Sequence, residues 1–239
     1  MSRKVSGMMP RLVMCSVSVF CIVTAACGAT LDVVAVGNTG NGNAFIGNGG
    51  GYLGAVNYEF QIGTYEVTAG QYTEFLNAVA ASDPYGLYNT NMTAAGLGCG
   101  IVRTGTAGSY TYSVSSANEN RPVNFVSWGD AARFANWLHN GQPKGPQGAN
   151  TTEDGAYTLN GATTAEALMA VARNSEWKWA IPTDSEWYKA GYHKNNGDTA
   201  DYYTYPTSSD TTPGMAKSLT GFPTSIDDPG NTANWGGVY

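Results

Sequence analysis

Histidine and cysteine are nearly missing from this chain, and charge is sparse. Of 239 residues two are histidine (His139 and His193), four are cysteine, and 13% are charged. Neither histidine has a second histidine or a cysteine at ligand spacing, so a zinc site is not expected. His139 falls in the last turn of a predicted helix, where a partly charged imidazole suits the negative end of the dipole. Cys15, Cys21 and Cys27 sit in the first 27 residues, which leaves Cys99 as the one thiol beyond them and no internal disulfide there. Cys99 stands between Gly98 and Gly100, a setting that reads as accessible and flexible. Nothing near it would lower its pKa, so the sequence gives it no catalytic role. The net charge of -6 argues against a nucleic-acid partner, which needs a basic face to neutralise phosphates. No G-x-S-x-G turn is present, and GNGGG at 47–51 neither follows a strand nor opens a helix, so it reads as linker rather than as a phosphate cradle.

Glycine is what the chain has in excess, at 31 residues against an ordinary share of about 7%. That points to a fold rich in turns and loops. The N-terminus reads as a secretory signal: Arg3, Lys4 and Arg11, then the 16-residue apolar run LVMCSVSVFCIVTAAC, then small residues at Ala26, Gly28 and Ala29. The run is shorter than the roughly 20 residues of a membrane span, and no later stretch is apolar for long enough. Cleavage near Ala29 is expected, which makes the protein exported (periplasmic, cell-surface or secreted). Acylation at Cys27 is the alternative, although Thr24 stands where such signals usually carry leucine.

The mature chain divides into an N-terminal strand and Gly/Asn-rich linker (30–57) and a larger domain (58–239). LDVVAV at 31–36 reads as a strand. Tyr58, Phe60 and Ile62 alternate as in a half-buried strand, and so do Tyr110, Tyr112 and Val114. Four helices are announced by capping boxes, Thr68 with Gln71, Ser127 with Asp130, Thr163 with Glu166 and Thr183 with Glu186. The first carries an inner stripe of Tyr72, Phe75, Leu76, Val79 and Ala80, and the second one of Ala131, Phe134, Ala135 and Leu138. Residues 84–108, 140–162 and 194–239 are irregular, as in folds built around functional loops.

Among the carboxylates, Asp130, Asp184 and Glu186 are explained by capping. Glu153-Asp154-Gly155 could contribute to a calcium site but is a turn signature first. Trp128, Trp137 and Trp187 lie on or beside apolar stripes and are expected in the core. Trp177, Trp179 and the tail tyrosines are the freer candidates for stacking on a ligand.

Three phrases in order, FQIGTYEVTAGQYTEFLNAV, RPVNFVSWGDAARFANWLH and IPTDSEWYKAGYH, resemble the formylglycine-generating enzyme family, also called sulfatase-modifying factor domains. Glu66-Val67-Thr68, Pro122-Val123, Val126-Ser127-Trp128, Asp130-Ala131, Trp137, Pro182-Thr183 and Glu186-Trp187 carry the resemblance. It implies an α+β, loop-rich fold similar to C-type lectins, in which the capped helices are structural and hold up long binding loops. The best-known members oxidise a sulfatase cysteine to formylglycine with a cysteine pair and copper. Their cysteines follow segments resembling N-V-x-E-W and R-G-G-S-W, and this sequence contains neither segment nor the pair. It ends at GNTANWGGVY, which is similar to an A-N-x-W-x-G stretch about two thirds of the way through the family domain, so a C-terminally truncated and unstable domain is expected. In that stretch the resemblance implies half of a calcium site, Asn234 with Trp235. Copper would require further cysteines. The expected role is non-catalytic, binding a glycan or protein or serving a surface structure. The alternative is a fragment of a formylglycine-generating oxidoreductase.

Overall fold

The computed structural model describes residues 28–46 and 51–211. Mixed short elements make it an α+β structure. Three two-stranded antiparallel ribbons are present: β1 (Val33–Val36) with β4 (Phe60–Gly63), β2 (Ala44–Phe45) with β3 (Tyr52–Leu53), and β5 (Val102–Thr104) with β6 (Thr111–Ser113). The helices are α1 (Ala69–Val79), α2 (Trp128–His139), α3 (Ala165–Met169) and α4 (Asp184–Tyr192).

Local hydrogen bonding sets three of the helix starts. Thr68, Ser127 and Thr183 each accept the N–H three residues on, and Gln71, Asp130 and Glu186 reach back to the cap N–H. Each cap contributes about 1 kcal/mol. At α3 the expected cap is displaced by one residue. Thr164, not Thr163, accepts from the Ala167 N–H, and the helix has only five residues with none buried. Two adjacent threonines offered the same chemistry, and the loop geometry selects the second.

The core forms where α1 meets α2. Phe75 lies 5.3 Å, ring centroid to centroid, from both Phe134 and Trp137, and Tyr72 lies 6.0 Å from Phe134. Tyr72, Phe75, Leu76 and Val79 are buried as the spacing predicts. The alternation in β6 also holds, since Tyr112 is buried between exposed neighbours. Asn77 of α1 latches that strand, donating to the Tyr112 carbonyl at 2.8 Å and accepting its N–H at 2.9 Å. Ala29 belongs to the same core, and its carbonyl accepts a bond from the Gln142 amide at 2.8 Å.

Several sequence expectations are corrected. Helix α2 is buried nearly all round, with Arg133, Asn136 and Trp137 inside and Ala131 only half-buried. Trp128 and Trp187 are 41% and 48% exposed, whereas Trp137 is 2% exposed. Helix α4 is inverted in polarity: its buried residues are Glu186 and Lys189. Lys189 donates to the carbonyls of Asn38 and Val56 at 3.0 and 3.2 Å, which offsets the cost of burying its charge. The Gly/Asn-rich stretch is therefore tied down where it is described. Asn41 there is 3% exposed and bonds Gly54, Val56 and the Tyr202 hydroxyl.

Cys99 is 2% exposed, contrary to the accessible thiol expected. Its flanking glycines serve close packing rather than mobility. A Cβ on Gly98 would collide with the carbonyl oxygens of Asn91 and Met92, and one on Gly100, at φ +86°, with the Asn118 amide. Among the described residues no helix is long and apolar enough to cross a membrane.

Candidate functional site

The inner face of α2 carries Arg133 and Asn136, and the exposed C-cap residue Asn140 follows on the same side of the helix. All three fasten the loop that follows. Arg133 donates to Glu153 through Nε at 2.7 Å and through a terminal nitrogen at 3.0 Å, and the same nitrogen reaches the Ala162 carbonyl at 2.9 Å. Glu153 has its remaining acceptor capacity taken by the Thr152 hydroxyl (3.0 Å) and the Gly161 N–H (2.8 Å). The two side chains are 2% and 5% exposed. Asn136 bonds the Thr152 and Tyr157 carbonyls and the Tyr157 N–H, each at 2.8 Å. Asn140 donates to the carbonyls of Thr151 and Asp154 at 3.2 and 2.8 Å. Residues 149–153 form one π-helical turn in which the N–H groups of Thr151, Thr152 and Glu153 converge on the Gly148 carbonyl.

This clamp leaves two open clefts on the loop's outer side, of about 550 and 590 Å³. The first is walled by loop residues 158–162 and by Ala167, Ala170 and Val171. The second lies at the C-terminal end of α2 and presents His139, Asn140, Asn150, Asp154 and Glu176. Asn174 lines both. It is held by bonds from its amide to the Gly155 carbonyl (2.8 Å) and the Thr158 hydroxyl (3.3 Å). The Nδ1 of His139 accepts the Lys178 N–H at 3.1 Å.

A second polar cluster ties α4 to the 173–177 segment. The Glu186 carboxylate takes a bidentate pair of bonds from Arg173 at 2.8 and 3.0 Å, the Thr183 N–H at 2.7 Å and the Tyr58 hydroxyl. Arg173 lies 4.5 Å from the Trp177 ring centroid. Trp177 is thereby occupied and half-buried, and Trp179 packs against the main core, so neither is the open stacking platform the sequence suggested. Burial alone would raise the Glu186 carboxyl. The bonds from Arg173, Tyr58 and Thr183 outweigh it and hold the group below its ordinary value. A depressed carboxyl contributes stability above its unfolded value, about 4.3, and that contribution is lost as pH falls through the folded value. Glu186→Gln is expected to cost about 1.5–3 kcal/mol at pH 7. Urea titrations of the two proteins should therefore draw together only as the pH falls through the lowered folded value of Glu186. Asp130, pushed up by burial against its Ser127 bonds, has the opposite sign but is present in both proteins and cancels in the comparison.

The residues described do not fit a copper centre. The one thiol among them is sealed in the core, and no group of three or more His, Cys, Asp or Glu comes together there as a ligand set. The Glu153 of the suspected calcium turn is spent on Arg133. Asn234 and Trp235, the half calcium site implied by resemblance, lie outside the described residues.

Residues 39–234 match the family model of the sulfatase-modifying factor enzyme 1-like domain. The chain belongs to that family. Curated proteins and solved structures supply no match. Within this sulfatase-modifying-factor domain, the Ser127–Asp130 and Thr183–Glu186 boxes that carried the resemblance are structural caps, at the feet of the two polar clusters. Sequence reasoning missed Arg133, Asn136, Asn140 and Asn174. The available signal was the unusual placement of Arg133 and Asn136 on either side of Phe134 and Ala135, inside a capped amphipathic helix.

Proposed function

We propose that this chain is an exported, non-catalytic member of its family that holds a glycan or a protein through the loop clefts beside α2. The observation that carries this reading is the open 590 Å³ cleft, built on a loop that a buried ion pair and three asparagines fix in place. Fixed loops reduce the ordering cost of binding. The buried Cys99 supports a binding role over thiol chemistry, because a nucleophilic or metal-ligating cysteine needs access. The charged and apolar pattern of the first 29 residues supports export, and the packing of Ala29 favours a cut on its N-terminal side. Short elements carrying long loops are compatible with a lectin-like arrangement. Family membership favours one other reading, a part of an oxidoreductase whose cysteines lie elsewhere.

The test is a glycan array together with pull-down from an extracellular fraction, using the full chain. A reproducible glycan or protein ligand is expected. No hit in either experiment would count against the reading.

A further inference from the structure

Five Asn-Gly pairs occur in the chain, at 41–42, 48–49, 140–141, 160–161 and 196–197. Glycine has no Cβ to shield its nitrogen, so in such pairs that nitrogen can add to the preceding side-chain amide carbon. Residues 48–49 lie outside the described ones. In three of the remaining pairs the glycine N–H is already spent. Gly42 donates to the Thr199 carbonyl at 2.7 Å, beside an Asn41 that is 3% exposed. Gly141 donates to the Leu138 carbonyl at 3.1 Å, while the Asn140 amide is tied to Thr151 and Asp154. Gly161 donates to the buried Glu153 carboxylate at 2.8 Å. Asn196 and Gly197 are both exposed, and the Gly197 N–H has no acceptor among the described residues. The Asp198 N–H donates to Asn196 Oδ1 at 3.1 Å. That is the oxygen on which negative charge develops when a nucleophile adds to Cγ.

We propose that Asn196 is a site of spontaneous deamidation, and that its conversion unfastens the 194–202 loop from the N-terminal segment. The Gly197 nitrogen loses its proton to water or hydroxide and bonds to Asn196 Cγ. The Cγ–Nδ2 bond breaks, ammonia departs, and a succinimide ring remains. Water opens that ring at either carbonyl, giving aspartate or isoaspartate. Before the reaction Asn196 donates through Nδ2 to Asp201 Oδ2 at 2.8 Å. Lys194 Nζ pairs with Asp201 at 3.1 Å and with Asp210 at 2.9 Å. Deamidation removes the amide donor and sets a third carboxylate beside two that share one ammonium, so the group repels itself. The same loop carries the Thr199 carbonyl that Gly42 uses. It also carries the Tyr202 hydroxyl, which accepts from Asn41 at 2.6 Å and donates to the Gly42 carbonyl at 2.7 Å. Loosening the loop therefore frees residues 41–42. The reaction proceeds whether or not the clefts beside α2 hold a ligand.

The test incubates the purified full chain at mildly alkaline pH and follows each Asn-Gly peptide by mass spectrometry after digestion. Isoaspartate is read separately by enzymatic methylation. Asn196 should convert at least about tenfold faster than Asn41, Asn140 or Asn160, which react only from locally opened states. An equal rate at any of those three would overturn the proposal. So would an Asn196 that stays intact in the folded chain while the urea-unfolded chain converts there. In Asn196→Asp, the direct product, hydrogen exchange at the Gly42 N–H should be at least about threefold faster than in the fresh chain. Unchanged exchange in that variant would overturn the coupling to the N-terminal segment. Asn196→Gln keeps an amide donor, and its longer side chain closes a ring slowly. After the same incubation its Gly42 exchange should match the fresh chain, and acceleration there would place the loosening at another site and overturn the proposal.

Discussion

Arg133→Met is expected to lower the stability of this domain by about 3–5 kcal/mol, because it strands the Glu153 carboxylate in the interior. Glu153 is 5% exposed on its side chain, and among the described residues Arg133 is the one cation that pairs with it. The lost Ala162 contact frees the far end of the loop as well. Urea unfolding should show a lower midpoint with an unchanged slope. Adding Glu153→Gln should recover much of the loss, since the amide removes the charge and keeps an acceptor for Thr152 or Gly161. If the double variant is no more stable than Arg133→Met, the ion pair is not what fixes the loop. Loss of the clamp should also weaken any ligand of the α2 cleft, since its walls at residues 154–155 hang on the same loop.

The second large effect is expected at Trp137. Its ring is 2% exposed, packs 5.3 Å from Phe75 and 5.8 Å from Phe134, and its Nε1 donates to the Pro143 carbonyl at 3.0 Å. Trp137→Ala opens a cavity at the junction of α1 and α2 and should cost about 3–5 kcal/mol. Typical domains have only about 5–15 kcal/mol in total, so thermal denaturation should fall steeply or the variant should not accumulate. Trp187→Ala provides the contrast. That ring is 48% exposed on α4 and meets Tyr192 at 5.9 Å, so the change should cost about 1–2 kcal/mol, clearly less than at Trp137. A comparable loss at the two positions would contradict the packing described.

Those two tryptophans also show what was legible in the sequence. Capping boxes depend on residues three apart, so Thr68, Ser127 and Thr183 could be read without the fold. The stripe of α1 was legible because one side of that helix meets apolar neighbours and the other meets solvent. Helix α4 defeated the same rule. Glu186 and Lys189 face inward because Arg173, Tyr58 and the carbonyls of Asn38 and Val56 await them, and those partners are 13, 128, 151 and 133 residues away. With the polar side turned in, Trp187 is left outside.

The candidate site was hidden for a related reason. Arg133 and Glu153 lie 20 residues apart, and a charged residue in a helix is ordinarily read as solvent-facing. The asparagines of the cleft carry no spacing rule of their own. Their function as clamps follows from which carbonyls the loop brings within reach. Cys99 was misread because glycine neighbours signal freedom in a sequence, while here they permit close backbone packing around a buried thiol. The family resemblance was legible because its phrases encode the caps and the core, which are local or periodic.

The central claim is that this member of the sulfatase-modifying-factor family binds without oxidising a thiol. Its most direct test is to incubate the purified full chain, with copper and oxygen, with a cysteine-containing sulfatase peptide and follow the peptide by mass spectrometry. The account predicts that the cysteine stays intact at every time point. Appearance of the formylglycine aldehyde, dependent on this chain, would contradict it.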